Sequence, residues 1–394
     1  MKPSARVQAA IELLDEIIVA ARDAGPAADT IIQDFFKRRR YAGSGDRRAI
    51  RELVYRVIRR SGERPVSGRA AMIGLGQDDP EVLKLFDWTV RAPAPPLPNE
   101  PVAAAAAVPA WLLPALDPLI EADERDSLLD RAPLDVRVNL LKGDRPAAIE
   151  TIPEAEPTSL SPIGLRLPDG FAIDGHPAWQ SGLVEVQDEG SQLIGLACGA
   201  APDMVAVDLC AGAGGKTLAF AAEMANRGRI VASDADRPRL SRIGPRAQRA
   251  GATNIECRLV NPRQELKALA DLEGKADMVL VDAPCSGSGT WRRNPETRWR
   301  LTAERLHHIV GLQSHLLDVA AQLVRPGGRI IYAVCSLLAV EGRAQADAFA
   351  LRRSSFISED LPIEGGRACG AGRLLTPGHD GTDGFFIARW QAPC

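Results

Sequence analysis

From about residue 186 onward the chain alternates short apolar runs with longer amphipathic ones, and that alternation limits the folds open to it. VAVDL (205–209), IVAS (230–233), IECRLV (255–260), MVLVDA (278–283) and RIIYAV (329–334) read as strands. Between them the periodicity predicts helices over about 216–225, 237–250, 302–324 and 340–353, with RPGGR (325–329) as a turn. Strands this apolar, each followed by a helix, call for an α/β fold: a doubly wound, mostly parallel sheet covered on both faces. GFFIARW (384–390) reads as a last strand with no helix after it, able to add antiparallel.

The upstream half follows other rules. Val7, Ile11, Leu14 and Ile18 share one helical face, and Ile50, Leu53, Val54, Val57 and Ile58 repeat the pattern, so residues 1–90 are read as a small all-α domain. Lys37, Arg38, Arg39 and Arg40, then Arg47, Arg48, Arg51, Arg56, Arg59 and Arg60, fall between the apolar positions. They can form a positive outer face, although an ordinary solvated helix surface gives the same pattern. Residues 91–110, RAPAPPLPNEPVAAAAAVPA, have the composition of a linker. Residues 111–185 are expected to be a small α+β domain, with Val136, Val138 and Leu140 of DVRVNLLK (135–142) marking a half-buried strand. The alternating region, 186–394, is then the last domain.

Composition removes several classes. A net charge of −3 excludes a polycation, so any polyanion would be met by local basic density instead. No apolar run reaches the ~18 residues of a membrane span. The start, MKPSARVQAA, lacks the apolar stretch of a secretory signal, and a cytoplasmic location is expected. Seven scattered cysteines without a C-x-x-C pair point to reduced thiols, not to a disulfide framework or a metal site.

Ligands of open α/β sheets bind at the carboxyl edge of the strands, which is where the chemistry-bearing residues fall. The turn after the first strand reads Cys210-Ala211-Gly212-Ala213-Gly214-Gly215-Lys216-Thr217. Its glycines allow close approach of a ligand, and the following helix offers free N–H groups. The G-x-G-x-x-G spacing is not met by Gly212, Gly214 and Gly215, and the P-loop pattern is excluded because position 210 is Cys. The second strand ends in Ser233-Asp234, an acid placed to accept hydrogen bonds from ribose hydroxyls. The fourth strand ends in Asp282-Ala283-Pro284-Cys285, and the fifth in Val334-Cys335-Ser336.

Two thiols and a carboxylate converging on one crevice suit covalent catalysis. Carbon 5 of cytosine is a weak nucleophile, and thiolate addition at C6 makes C5 reactive toward a methyl sulfonium. A carboxyl near N3 would stabilise the adduct by sharing a proton, the role open to Asp282. An isolated cysteine is more often core. Cys198, Cys257 and, on weaker grounds, Cys210 are read so, whereas Cys285 and Cys335 each close a strand beside a serine.

These residues resemble the RNA 5-methylcytosine methyltransferases of the NOL1/NOP2/Sun family, nearest its bacterial small-subunit branch. VPAWLL, DVRVNLLK, VQDEGSQL, VDLCAGAGGKT, VDAPCSGSGTWRRNP, AVCSL and TDGFFIARW occur in the family's order, from about residue 110 to the end. The resemblance implies a Rossmann-like class I methyltransferase domain that uses S-adenosyl-L-methionine. It implies Cys210, Ala211, Gly212, Ala213, Gly214, Gly215 and Lys216 as the cofactor loop, with Asp234 at the ribose and Asn261 near the adenine. Asp282 would touch cofactor and base, Cys335 would be the nucleophile, and Cys285 would help release product. Lys216 would join the catalytic group. Three positions depart from the family pattern. Ala213 stands where Pro is frequent, Asn261 where Asp is usual, and Val334 where Thr is common.

FFKRRRYAGSGDRRAIRELVYRVIRR is similar to the NusB-like helical domain of the bacterial enzymes, which implies RNA binding. The expected partner is RNA, small-subunit ribosomal RNA first and tRNA as the alternative, with no DNA and no membrane. The basic helical domain, residues 111–185 and an exposed Trp291-Arg292-Arg293 and Trp299-Arg300 segment are expected to hold it, although both tryptophans fit plain packing equally well. Two other readings remain at this point. A non-catalytic assembly factor would fail to bind S-adenosylmethionine, and a protein or small-molecule methyltransferase would not need both thiols.

Overall fold

The computed structural model describes residues 1–394, and they divide into two compact units. The first comprises Met1–Leu116, Glu121–Asp130 and Ser286–Ala303. Its helices are α1 (Pro3–Arg22), α2 (Ala28–Arg38), α3 (Ser44–Arg60) and α4 (Gly68–Asp78). The apolar stripe read from the sequence is its core: Val7, Leu14, Ile32, Phe35, Val54 and Val57 are buried together. Each such side chain contributes about 1.5–3 kcal/mol on burial.

Residues 91–110 are not a loose linker. Arg69 pairs with Glu100 and donates to the carbonyls of Ala94 and Pro95. The Ala103 N–H reaches Ala70 O at 3.1 Å, and Ala106 N–H reaches Arg60 O at 2.9 Å. A Pro- and Ala-rich segment leaves carbonyls unpaired, and Arg69 together with Arg60, whose guanidinium donates to Ala103 O at 2.6 Å, satisfies them.

The segment after Cys285 also departs from expectation. Trp291 is 1% and Trp299 3% exposed, so neither is a surface stacking platform. Trp299 packs in the helical core, and its indole N–H donates to Ser61 O at 2.8 Å. Arg298, 2% exposed, donates to the carbonyls of Ile58, Arg59 and Ala107. The first two belong to the last turn of α3, which lacks intrahelical donors. Arg292 is buried as well, and Arg300 donates to the carbonyls of Gly25 and Pro26. Residues expected in the last domain thus complete the helical unit.

The second unit comprises Asp117–Ile120, Arg131–Cys285 and Glu304–Cys394. It holds a small antiparallel sheet of β1 (Leu134–Val138), β2 (Glu156–Pro157), β3 (Gly164–Leu167) and β4 (Val184–Val186), ordered β2-β3-β1-β4. Central β1 is buried on both faces, not half-buried: Asp135 pairs with Arg166, Arg137 with Gln187, and Asn139 donates to the carbonyls of Gly182 and Ala250. Leu140 falls beyond the strand and is exposed.

The large sheet contains β5 (Val205–Asp208), β6 (Arg229–Asp234), β7 (Ile255–Leu259), β8 (Ala276–Asp282) and β9 (Val324–Val334), all parallel. After β10 (Ile357–Ser358), β11 (Arg367–Cys369) and β12 (Gly372–Leu375), β13 (Phe385–Gln391) adds antiparallel to β9, as expected. The order β11-β12-β13-β9-β8-β5-β6-β7 reverses its sense beside β5, where a ligand crevice opens at the carboxyl ends. RPGGR is drawn into β9 instead of forming a separate turn: Gly327 takes φ +69° and the β8–β9 register shifts between Ala276 and Met278. The expected 237–250 helix is two pieces, Arg237–Leu240 and Ile243–Ala250. Pro245 has no N–H for the Ser241 carbonyl, so the helix breaks before it and the second piece begins at Ile243. Cys198 is buried, but Cys257 on edge strand β7 is exposed, which corrects its reading as core. No helix is long and apolar enough to cross a membrane.

Candidate active site

A cavity of about 400 Å³ lies at the carboxyl edge of β5, β6, β8 and β9. Cys210, Asp234, Asp282, Cys285 and Cys335 all line it. Five residues named from strand ends thus meet in one crevice, because parallel strands deliver their carboxyl ends to the same edge.

The glycine loop folds as its sequence requires. Gly212 and Gly214 take φ +55° and +82°, a region other residues enter only at a cost. A Cβ on Gly214 would also stand 2.9 Å from Ile243. Asp234 holds the loop: its Oδ2 accepts from Gly212 N at 2.7 Å and its Oδ1 from Asp236 N at 2.7 Å. Of the run expected as the cofactor loop, Cys210 lines the cavity, whereas Ala211, Gly212, Ala213, Gly214, Gly215 and Lys216 do not.

Lys216 reaches from the helix start to Asp282 Oδ2 at 2.7 Å. Burial alone would lower the lysine, but the Asp282 charge and hydrogen bond outweigh it, and its pKa is raised. Beneath the loop, Asp208 accepts from Thr217 Oγ1 at 2.6 Å, and burial pushes its carboxyl up to about 7. Cys210 is pushed well above the ordinary thiol range by burial and then by Asp208, Asp234 and Asp282, which leaves it a poor nucleophile.

Cys285 Sγ and Cys335 Sγ are 3.2 Å apart. A buried network fixes the two loops that carry them. Glu341, fully buried, accepts from Ser336 Oγ and from Gln313 Nε2 at 2.9 Å. The same Gln313 amide donates to Pro284 O at 3.0 Å. One carboxylate and one amide therefore tie the residue after Cys335 to the residue before Cys285.

Residues 199–391 match the family described as 16S rRNA methyltransferase RsmB/F. The chain is also 37% identical over 269 residues to ribosomal RNA small subunit methyltransferase B of Xylella fastidiosa (strain 9a5c), covering 67% of this chain and 63% of that protein.

The chain belongs to the NOL1/NOP2/Sun family.

It spans less than two thirds of that Xylella relative's length. The structure called PH0851 superposes with a TM-score of 0.76 at 24% identity, over 99% of both chains, and shares the fold. NSun6 from Pyrococcus horikoshii, solved with SFG, superposes with a TM-score of 0.60 at 20% identity, over 67% of this chain and 92% of that one.

Within this NOL1/NOP2/Sun member, one expected residue stands aside. Asn261 is exposed, while its neighbours Val260 and Pro262 line the cavity. Glu265 faces the cavity instead, accepting from Arg263 N at 2.9 Å and contacting His315 Nε2 at 2.8 Å. Burial raises that carboxyl, but His315 and the backbone donors prevail and its pKa is lowered. Leu312 and Leu316, from the helix Ala303–Leu323, supply an apolar wall, and Arg239 contributes a guanidinium against Gly212. Sequence patterning missed Glu265 and Arg239. Glu265 opens the short helix Glu265–Leu269 and Arg239 lies within Arg237–Leu240, positions that read as ordinary helix surface.

Proposed function

We propose that the chain transfers a methyl group from S-adenosyl-L-methionine to C5 of a cytosine in small-subunit ribosomal RNA, with Cys335 as the attacking thiol. The 3.2 Å approach of Cys285 and Cys335 beside Asp282, in one cavity, carries the reading. The names of the relatives, which are rRNA small-subunit methyltransferases, and the SFG-bound NSun6 of the same fold support the substrate and cofactor class.

The residues present fit the cofactor. Asp234, already oriented by two backbone donors, would take the ribose hydroxyls, and Val260, Pro262, Leu312 and Leu316 would flank the adenine. Bound there, it supplies an electrophilic methyl group. The Cys335 thiolate adds to C6 and the electron pair moves toward N3, where Asp282, paired with Lys216, stabilises it by a shared proton. C5 then takes the methyl. Cys285, in reach of the adduct, takes the C5 proton as base, and the electron pair of that C–H bond expels the Cys335 sulfur from C6, restoring the ring and the thiolate.

The target base must leave its stack to enter the cavity. In the helical unit a basic concavity of about 640 Å³, lined by Phe36, Lys37, Arg40, Arg47, Arg48 and Arg51, suits an RNA backbone. Arg38, Arg39, Arg56 and Arg60 are each paired with a carboxylate, and Lys37 pairs with Asp34, so the open charge at the concavity is carried by Arg40, Arg47, Arg48 and Arg51.

Bisulfite sequencing of ribosomal RNA from a deletion strain tests the reading. Loss of one 5-methylcytosine in 16S rRNA, restored by the wild-type chain but not by Cys335→Ala, is expected. An unchanged rRNA methylation pattern would contradict it.

A further inference from the structure

A second cavity, of about 560 Å³, adjoins the glycine loop in the same unit. Trp179, Val186, Ala213, Arg242, Arg246 and Arg249 line it. Ala213 lies three residues after Cys210, which lines the catalytic cavity, and Arg239, three residues before Arg242, lines that cavity too. At spacings of three and four, Arg239 sits on the short helix Arg237–Leu240, Arg242 caps the next, and Arg246 and Arg249 lie on Ile243–Ala250.

Their partners are few. Arg246 donates to Ala213 O and pairs with Glu185, and Arg249 pairs with the same buried Glu185. Asp174 is the other acid on the wall. Arg239 and Arg242 are exposed and their guanidinium groups make no ion pair. The indole of Trp179 is already oriented, with the Arg249 guanidinium 4.0 Å from its ring centroid. Val186 beside it is 42% exposed, an apolar surface left open among positive charges.

Guanidinium groups in a row, a pre-set indole and an open aliphatic face suit unpaired nucleotides: phosphates to the arginines and a base against the ring. We propose that Arg239, Arg242 and Trp179 form the track for the single-stranded RNA that adjoins the target base, leading past Ala213 to the catalytic cavity. This rests on the RNA reading above and adds where the strand runs.

The test uses the full chain with Arg242→Ala, Arg242→Glu and Trp179→Leu. Fluorescence anisotropy with a labelled single-stranded oligoribonucleotide reads binding apart from methyl transfer, and calorimetry reads S-adenosylmethionine binding. Arg242→Glu should weaken RNA binding by about tenfold or more and raise the RNA KM, with cofactor affinity unchanged. Arg242→Ala should lower the slope of log affinity against log salt by about one. RNA affinity and salt slope unchanged in both arginine variants overturn the track, as does a wild-type chain that binds no single-stranded RNA. Wild-type binding that is lost in Arg242→Glu, without methyl transfer by either, supports the track and overturns the proposed function instead. Trp179→Leu, which keeps an apolar side chain for folding, should lose affinity without a change in salt slope.

Discussion

Cys285 Sγ stands 3.2 Å from Cys335 Sγ, although the residues close two different strands of the parallel sheet. Such proximity gives the pair a shared chemistry that neither thiol would have alone. An oxidised small-molecule disulfide can be attacked by one thiolate, and the second can then displace the mixed disulfide, linking the two sulfurs and releasing the reduced small thiol. The expected outcome is loss of both thiols to alkylation on treatment with oxidised glutathione, loss of methyl transfer, and recovery with dithiothreitol. Peptide mapping that finds no 285–335 link after such treatment would contradict the placement.

Arg298 predicts a structural effect where the sequence pointed to RNA. Its guanidinium serves three carbonyls, two of them at the end of α3. Arg298→Ala strands those carbonyls and should cost the helical unit about 3 kcal/mol or more, since hydrogen bonds to charged groups are worth about 1.5–3 kcal/mol each. Denaturant unfolding followed by helical signal checks this. RNA affinity lost without any loss of stability would restore the surface reading.

Much of the site was legible in the sequence because strands in a parallel sheet are marked by apolar runs, and their ends fix one edge. Cys210, Asp234, Asp282, Cys285 and Cys335 followed from that rule. What stayed hidden depended on which backbone groups needed partners. Arg298 and Trp299 look like part of a nucleic-acid surface, yet they bury because the end of α3 and the 91–110 segment have carbonyls to satisfy. Asn261 was placed by family analogy, but a strand end fixes a side chain's direction only to the last paired residue, and Glu265 turned inward instead. The arginines of 237–249 carry no signal in the sequence, because Trp179, which stacks on Arg249, lies far away along the chain.

Asp208 should leave a signature in the pH dependence of stability. Its ordinary value is 3.8, and burial raises it to about 7 in the folded chain. The folded state therefore holds a proton that the unfolded state has lost, so stability is greatest below the unfolded value and falls as pH rises to about 7. At about 1.4 kcal/mol per unit, the ceiling is on the order of 4 kcal/mol. Asp208→Asn removes this ionisation, and its stability relative to wild type should rise between pH 4 and pH 7. A difference that stays constant across that range would contradict the assignment.

Glu341 should act on catalysis through position alone. Without it, Ser336 and Gln313 lose their common acceptor, and the spacing of the two thiol loops is released. Glu341→Ala should lower kcat by roughly a hundredfold, the scale of a 1 Å misplacement, while cofactor affinity holds. Glu341→Gln, which still offers a carbonyl oxygen, should recover part of the rate. Unchanged kcat alongside a lower Tm would assign Glu341 to stability only.

The most direct test of the account asks which sulfur attacks the base. Purified Cys335→Ala and Cys285→Ala chains, incubated with S-adenosylmethionine and 16S rRNA, are resolved on a denaturing gel. The account predicts no methyl transfer and no shifted band for Cys335→Ala, and a slow covalent protein–RNA band for Cys285→Ala. A covalent band formed by Cys335→Ala, with none from Cys285→Ala, would contradict it.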